Sequence, residues 1–205
     1  MSDILLSVLI PSVPGRLDKL DRLFKHFQWQ IDSNGSASWG KRVEILSFLD
    51  NKKRSIGFKR ETLVQEAQGE YLAFCDDDDS VANCYLASIM PVLEVENVDV
   101  VVFKQKCVVN GEQPFTVDHD INYENQHCIR HPDGRWEDLK RKPWHHNVWR
   151  SALAKTAHFP DSMWGEDHSW CEQLWPRVKT QHKIDAVLHH YSHDIHLTES
   201  RSQDS

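Results

Sequence analysis

The first hundred residues alternate short apolar runs with amphipathic stretches, and this alternation limits the possible folds more than any other feature of the chain. Residues 5–10 are apolar apart from Ser7 and are stopped by Pro11 and by Pro14-Gly15, the pattern of a strand buried on both faces. Leu17, Leu20, Leu23, Phe24 and Phe27 then recur at three-and-four spacing, with Asp18, Lys19, Asp21, Arg22 and Lys25 between them, which predicts an amphipathic helix. A polar loop is expected over 32–40, a second strand over 43–49 ending at Asp50-Asn51, and a second helix over 56–68 with Gly69 as a left-handed cap. A third strand, 71–75, runs directly into four aspartates, and a helix over 83–93 carrying Pro91 precedes a β-branched strand at 98–103. Strand, helix, strand, helix, strand is the beginning of a doubly wound α/β sheet.

Beyond residue 103 the regularity stops. Short strand-like pieces separated by Asn110-Gly111 and Asp133-Gly134 turns are expected over 104–145, a helix over 148–157, a helix opening at Trp164 and running to Val178, and a last strand over 184–189. Polar residues from 198 onward read as a tail, so one domain over 1–197 and a tail over 198–205 is the expected organisation.

Composition excludes several classes of function. With 24 Lys and Arg against 31 Asp and Glu, the formal charge of −7 opposes broad contact with a phosphate backbone, so no nucleic-acid partner is expected. No apolar run approaches the roughly 18 residues of a membrane helix, and residues 4–10 lack a cationic leader and a cleavage site. Cys75, Cys84, Cys107, Cys128 and Cys171 are odd in number and contain no CxxC pair, which argues against disulfides and a cysteine zinc site and for a cytoplasmic location.

Asp76-Asp77-Asp78-Asp79 is the most informative segment. Like charges about 4 Å apart repel by roughly 4 kcal/mol at an effective dielectric of 20, so a neutralising partner is expected. Ligands of open α/β sheets bind beyond the carboxyl ends of the strands, which is where this cluster lies. Mg²⁺ or Mn²⁺, held by one or two carboxylates and by substrate phosphates, would relieve the repulsion. Taken alone, the run is a solvated acidic turn. Lys52, Lys53, Arg54, Lys59 and Arg60 precede it, and a bridging diphosphate would suit both groups.

Together these segments resemble the family-2 glycosyltransferases of the GT-A fold. Ser7-Val8-Leu9-Ile10-Pro11-Ser12 is similar to the family's first strand and nucleotide-binding turn, residues 44–50 to its second strand, and Ile56-Gly57-Phe58-Lys59-Arg60-Glu61-Thr62-Leu63 with residues 67–74 to the helix and strand that lead to the DxD element. The resemblance implies a single Rossmann-type, mixed but mostly parallel sheet flanked by helices. It also implies a nucleotide-sugar-binding half over 1–103, an acceptor-binding half over 104–197, and a donor site drawn from Pro11, Ser12, Val13, Arg16, Asp50, Gly57, Lys59, Arg60, Asp76, Asp77 and Asp78. Asp78 and Asp79 would bind the metal, joined by His193 or His190 after the final strand. Gly165-Glu166-Asp167 resembles the family's Glu-Asp motif and makes Asp167 the catalytic base of an inverting transfer, a role that burial can tune in a carboxylate. The implied reaction is metal-dependent transfer of a sugar, from a UDP-sugar by preference, to a glycan or glycoprotein. The short chain is similar to small virus-encoded members, for which the location would be a host cytoplasm.

Six of the 8 Trp and 12 of the 13 His lie after residue 118. Indole faces stack on the C–H faces of sugars, so Trp144, Trp149 and Trp164, with Glu166 and Arg150, are candidates for acceptor contacts, whereas Trp170 and Trp175 read as the buried side of their helix. Two alternatives remain open at this point. A nucleotidyltransferase would release pyrophosphate from a nucleoside triphosphate, and a cation-dependent carbohydrate-binding module would bind glycan without nucleotide.

Overall fold

Side chains at alternate positions of the central strands feed two separate cores in the computed structural model, which describes residues 3–33 and 39–193. The elements are β1 (Leu6–Ser12), α1 (Leu17–Ser33), α2 (Trp39–Arg42), β2 (Val43–Leu49), α3 (Ile56–Glu66), β3 (Tyr71–Phe74), β4 (Ser80–Val81), α4 (Tyr85–Val95), β5 (Val100–Val109), β6 (Phe115–His119), β7 (Leu139–Arg141), β8 (Val148–Arg150), α5 (Ser151–Ala154), α6 (Glu166–Leu174) and β9 (Gln181–His193). Leu6, Val8 and Ile10 of β1, Tyr71 and Ala73 of β3 and Phe103 of β5 pack with Leu23, Phe27, Leu86 and Ile89 of α1 and α4. Leu9, Leu72, Phe74, Val100 and Val102 face the other way, against Leu63 and Val64 of α3 and Trp170 and Leu174 of α6. The period of two along each strand thus makes one sheet with helices on both faces.

The sheet order is β2-β1-β3-β8-β5-β6-β7. β1 is parallel to β2 and β3, while β8 is antiparallel to both β3 and β5. β9 runs parallel to β5 and also pairs with β4, with Ser80 opposite His190 and Val81 opposite His189. The carboxyl ends of β1 and β3 therefore meet the last strand through the acidic turn between β3 and β4. The mixed, mostly parallel sheet is the architecture that the family resemblance implies. Among the described residues, no helix is long and apolar enough to cross a membrane.

Several local expectations change. The helix expected over 148–157 is β8 followed by the single turn α5, because Trp149 is opposite both Leu72 and Val100, and that ladder overrides local propensity. Gly69 is not a left-handed cap, since it has no positive φ. A Cβ there would meet Ser7 N and Ser7 Oγ at 2.6 Å, so the position is restricted by close approach to β1. β5 runs six residues beyond the expected end to Val109, where Asn110 and Gly111 have φ of 51° and 69°, the left-handed pair suited to a tight hairpin turn. β9 exceeds its expected bounds at both ends, and α6 is shorter than 164–178. Of the loop expected over 32–40, Ser33 belongs to α1 and Trp39 to α2, while 34–38 lie outside the described residues, as does the tail from 198.

Candidate active site

Each aspartate of the turn after β3 has a different environment. Asp77 is held by β1's carboxyl end, accepting from Ser12 Oγ at 2.7 Å and from Arg16 Nη1 at 2.9 Å. Arg16, placed by a short 3-10 turn that follows buried Val13, also meets Asp78 Oδ2 at 2.9 Å. Asp79 faces β9, with Oδ1 accepting from the Ser192 N–H at 3.3 Å and Oδ2 lying 3.4 Å from His189 Nε2. Asp76 Oδ1 is buried without a hydrogen-bond partner. Burial raises the Asp76 pKa to about 6, with Asp78 and Asp77 adding to the rise while Arg60 opposes it. Burial and the charges of Asp76 and Asp78 likewise push Asp79 well up.

Of the basic residues expected to hold a diphosphate, Lys59 and Arg60 are drawn inward, while Lys52, Lys53 and Arg54 stay exposed. Lys59 is fully buried on α3 and its Nζ lies 3.0 Å from Asp50 Oδ1 and 3.3 Å from Ser12 O, tying the ends of β2 and β1 together. Burial alone would raise Asp50, but hydrogen bonds from Lys59 and from the Arg54 and Lys52 backbone bring it below the usual carboxylate range. Arg60 spans the site, with Nη2 at 2.7 Å from Asp76 Oδ2, Nε at 3.3 Å from Glu166 Oε1 and its guanidinium over the Phe74 ring at 5.3 Å. Gly57 serves packing. A Cβ would lie 1.9 Å from Pro160 O, and its N–H donates to Ser162 O at 3.1 Å.

Across the cavity, Gly165 adopts φ 72° and turns the chain into α6, presenting Glu166 and Asp167 in its first turn. Glu166 is buried, which raises its pKa against the opposing charge of Arg60. Asp167 Oδ2 accepts from Trp144 Nε1 at 3.1 Å and lies 3.5 Å from His145 Nδ1, while Oδ1 accepts from the His168 N–H at 2.7 Å. The indole N–H and the backbone N–H thus fix the carboxylate's orientation.

These groups share a cavity of about 430 Å³, which Pro11, Arg16, Arg60, Asp76, Asp77, Asp78, Asp79, Trp164, Glu166, Asp167 and His193 all line. Trp164, 67% exposed, stands at its rim. Trp144 also lines it, with its N–H committed to Asp167. Two acceptor candidates lie elsewhere. Trp149 is fully buried, its ring edge-on to Trp170 at 5.6 Å and its Nε1 donating to Trp144 O, so it is core. Arg150 bonds Val98 O and the Tyr71 hydroxyl near the amino end of β3, away from the cavity.

The expected metal shell is not assembled either. His190 opens onto a second cavity with Lys19, Arg22 and Lys106, whereas His193 lines the first and shares a hydrogen bond with the Tyr191 hydroxyl at 3.2 Å. His190 lines only the second cavity, whereas Tyr191 borders both. Among the described residues, no three His, Cys, Asp or Glu side chains are grouped to hold a metal. A hard cation still fits the turn. Asp76 has an orphaned oxygen, Asp78 is beside it in the cavity lining, and two carboxylates completed by phosphate oxygens are a sufficient set for Mg²⁺ or Mn²⁺.

Sequence reading missed the floor of the cavity, where Gln105, His119, His145 and His189 gather from β5, β6, the segment before β8 and β9. The excess of histidine after residue 118 was the signal, but it carried no spacing that would group them.

No curated protein matches the chain. Crystal structures of Staphylococcus aureus TarS 1–349, alone and in complex with UDP-GlcNAc, superpose with TM-scores of 0.61 and 0.62 at 16% identity, covering 92% of this chain. A third, in complex with UDP, also gives 0.62. The chain spans about three fifths of the length of these proteins, 60% and 58% for the first two, and at this identity the likeness establishes the fold, which is GT-A. The family model described as glycosyl transferase family 2 matches residues 45–175, well over half of the chain and the stretch from β2 through α6 that carries Lys59, Arg60, the aspartate turn and Asp167. The chain belongs to glycosyl transferase family 2.

Proposed function

We propose that this chain catalyses metal-dependent, inverting transfer of a sugar from a nucleoside diphosphate donor, UDP-linked by preference, to a hydroxyl of a glycan or glycoprotein acceptor. One observation carries the reading. Arg60 hydrogen-bonds Asp76 of the acidic turn and pairs ionically with Glu166, and a turn suited to a cation and a diphosphate and a carboxylate, Asp167, suited to deprotonating a hydroxyl line one cavity. The TarS complexes with UDP and UDP-GlcNAc support the choice of donor.

Asp78 and Asp76 would hold Mn²⁺ or Mg²⁺, which when bound neutralises charge growing on the departing diphosphate. Arg16, 15% exposed and beside Asp77 and Asp78, supplies the nearest cationic side chain on that side of the cavity. Pro11, at the end of β1, would border the nucleotide's side, while Ser12 is bonded to Asp77 and Asp50 is engaged by Lys59. Asp167 takes the proton of the attacking hydroxyl, its lone pairs aimed by Trp144 and His168. Trp164 offers an indole face to the acceptor at the rim.

The test measures Mn²⁺-dependent binding and turnover across UDP-, GDP- and dTDP-sugars in wild type, Asp78→Ala and Asp167→Ala. Asp78→Ala is expected to weaken metal-dependent nucleotide binding. Asp167→Ala is expected to leave donor binding intact and to lower transfer by about 10²–10⁴-fold. Full turnover in both variants would overturn the reading.

A further inference from the structure

Four imidazoles, those of His119, His145, His146 and His189, meet below the cavity. His146 stacks on His189 with centroids 4.7 Å apart and meets His119 edge-on at 4.9 Å. His119, His146 and His189 are each 1% exposed, and the Nε2 atom of each is buried without a hydrogen-bond partner.

Their tautomers follow from their neighbours. His119 Nδ1 lies 2.9 Å from Lys142 O, and since a carbonyl only accepts, Nδ1 carries the proton and Nε2 is a bare acceptor. The amide of Gln105 sets the opposite sense in the other two. Its Oε1 faces the Cys107 thiol at 3.5 Å, so its Nε2 donates toward His189 Nδ1 at 3.2 Å and His146 Nδ1 at 3.5 Å. Both rings then carry their proton on Nε2. The cavity wall consequently offers an acceptor at His119, whose pKa burial lowers to about 4, and an N–H donor at His189.

We propose that His119 and His189 are specificity-determining residues that read neighbouring hydroxyls of the transferred sugar, with Gln105 as the positioning residue that locks their polarity. An anion would call for charged donors, and a purely apolar ligand would leave the His119 nitrogen unpaired and the His189 N–H with only the Asp79 carboxylate at 3.4 Å. Hydroxyls donate and accept, which matches the pair. The location selects the donor's ring. His189 Nε2 lies 3.4 Å from Asp79 and His145 Nδ1 lies 3.5 Å from Asp167, so a ring resting on this floor lies between the acidic turn and the base, where the reacting carbon of a direct displacement has to be. This inference rests on the glycosyltransferase reading above.

Calorimetric titration with Mn²⁺ present tests it, comparing UDP, UDP-GlcNAc, UDP-glucose and UDP-galactose, and then derivatives of the tightest donor lacking one ring hydroxyl. His119→Phe keeps the ring and removes the acceptor. It should leave UDP affinity within about twofold and weaken the tightest UDP-sugar about tenfold, the scale of one lost hydrogen bond. One deoxy donor should bind wild type about tenfold more weakly than its parent and lose nothing further in His119→Phe. Gln105→Met, which removes the amide donor at similar volume, should also lower UDP-sugar affinity while sparing UDP. The inference is overturned if the variants weaken UDP and UDP-sugar equally, or if every deoxy donor binds wild type and His119→Phe with the same ratio. Wild type that binds neither UDP nor any UDP-sugar would refute the glycosyltransferase reading itself, and this inference would fall with it.

Discussion

Replacing Arg60 with Met removes the cation that joins the two acidic segments while filling most of its volume. Glu166, which is buried, and Asp76, which is 26% exposed, are then left without their counter-charge, and Arg16 is engaged with Asp77 and Asp78. Removing one partner from a buried pair typically costs about 3–5 kcal/mol, a large share of the roughly 5–15 kcal/mol that stabilises a domain. The pH dependence separates this loss from simple loss of packing. With Arg60 present, Asp76 already titrates at about 6 in the folded state, against roughly 3.9 when unfolded, and Glu166 is raised as well. Both shifts are upward, so the folded state binds more protons in this window and stability falls as pH rises from about 4 through the folded values. Without Arg60 both carboxylates move higher still, and the penalty is small at pH 4.5 and fully developed by pH 8. Urea unfolding of wild type, Arg60→Met and Arg60→Met/Asp76→Asn at the two pH values measures it. The double variant should recover part of the loss at pH 8, because its amide needs no counter-charge. A loss under about 1 kcal/mol at pH 8, or one equal at both pH values, would refute the reasoning.

Trp144→Phe deletes the N–H that holds Asp167 Oδ2. Steady-state kinetics should show kcat reduced about tenfold or more with donor affinity unchanged, since a misaimed base harms the reaction rather than binding. Gly57→Ala should reverse the usual helix preference. Alanine ordinarily gains about 1 kcal/mol over glycine within a helix, but here its methyl meets Pro160 O, and thermal denaturation should show a net loss of roughly 2 kcal/mol or more. Adding Mn²⁺ together with UDP should raise the melting temperature more at pH 7.5 than at pH 5, because protons compete for Asp76 near its value of about 6, and Asp76→Asn should flatten that difference.

Much of the fold was legible because its signals are local. The two-residue period of the strands, the three-and-four spacing of α1 and the Asn110-Gly111 turn each report on a few adjacent residues, and the aspartate run could be placed at a sheet's carboxyl edge from strand order alone. The acidic pair Glu166-Asp167 was legible in the same way, as a short motif at the opening of a helix, and it lines the cavity. The helix expected over 148–157 failed because its true state depends on strands about 50 and 80 residues earlier, β5 and β3.

Local pattern is enough to specify an α/β sheet with anionic groups at the tip of its third strand and an acidic pair opening a later helix. Tertiary structure alone decided how the charges and rings were shared out. It buried Lys59 on Asp50, stretched Arg60 between Asp76 and Glu166, placed Trp149 in the core, turned His190 and His193 toward different cavities, and gathered His119, His146 and His189 around Gln105. The reason is physical. Charges and imidazoles take their properties from whatever faces them across the sheet, and those partners are set by strand register between segments far apart in the chain.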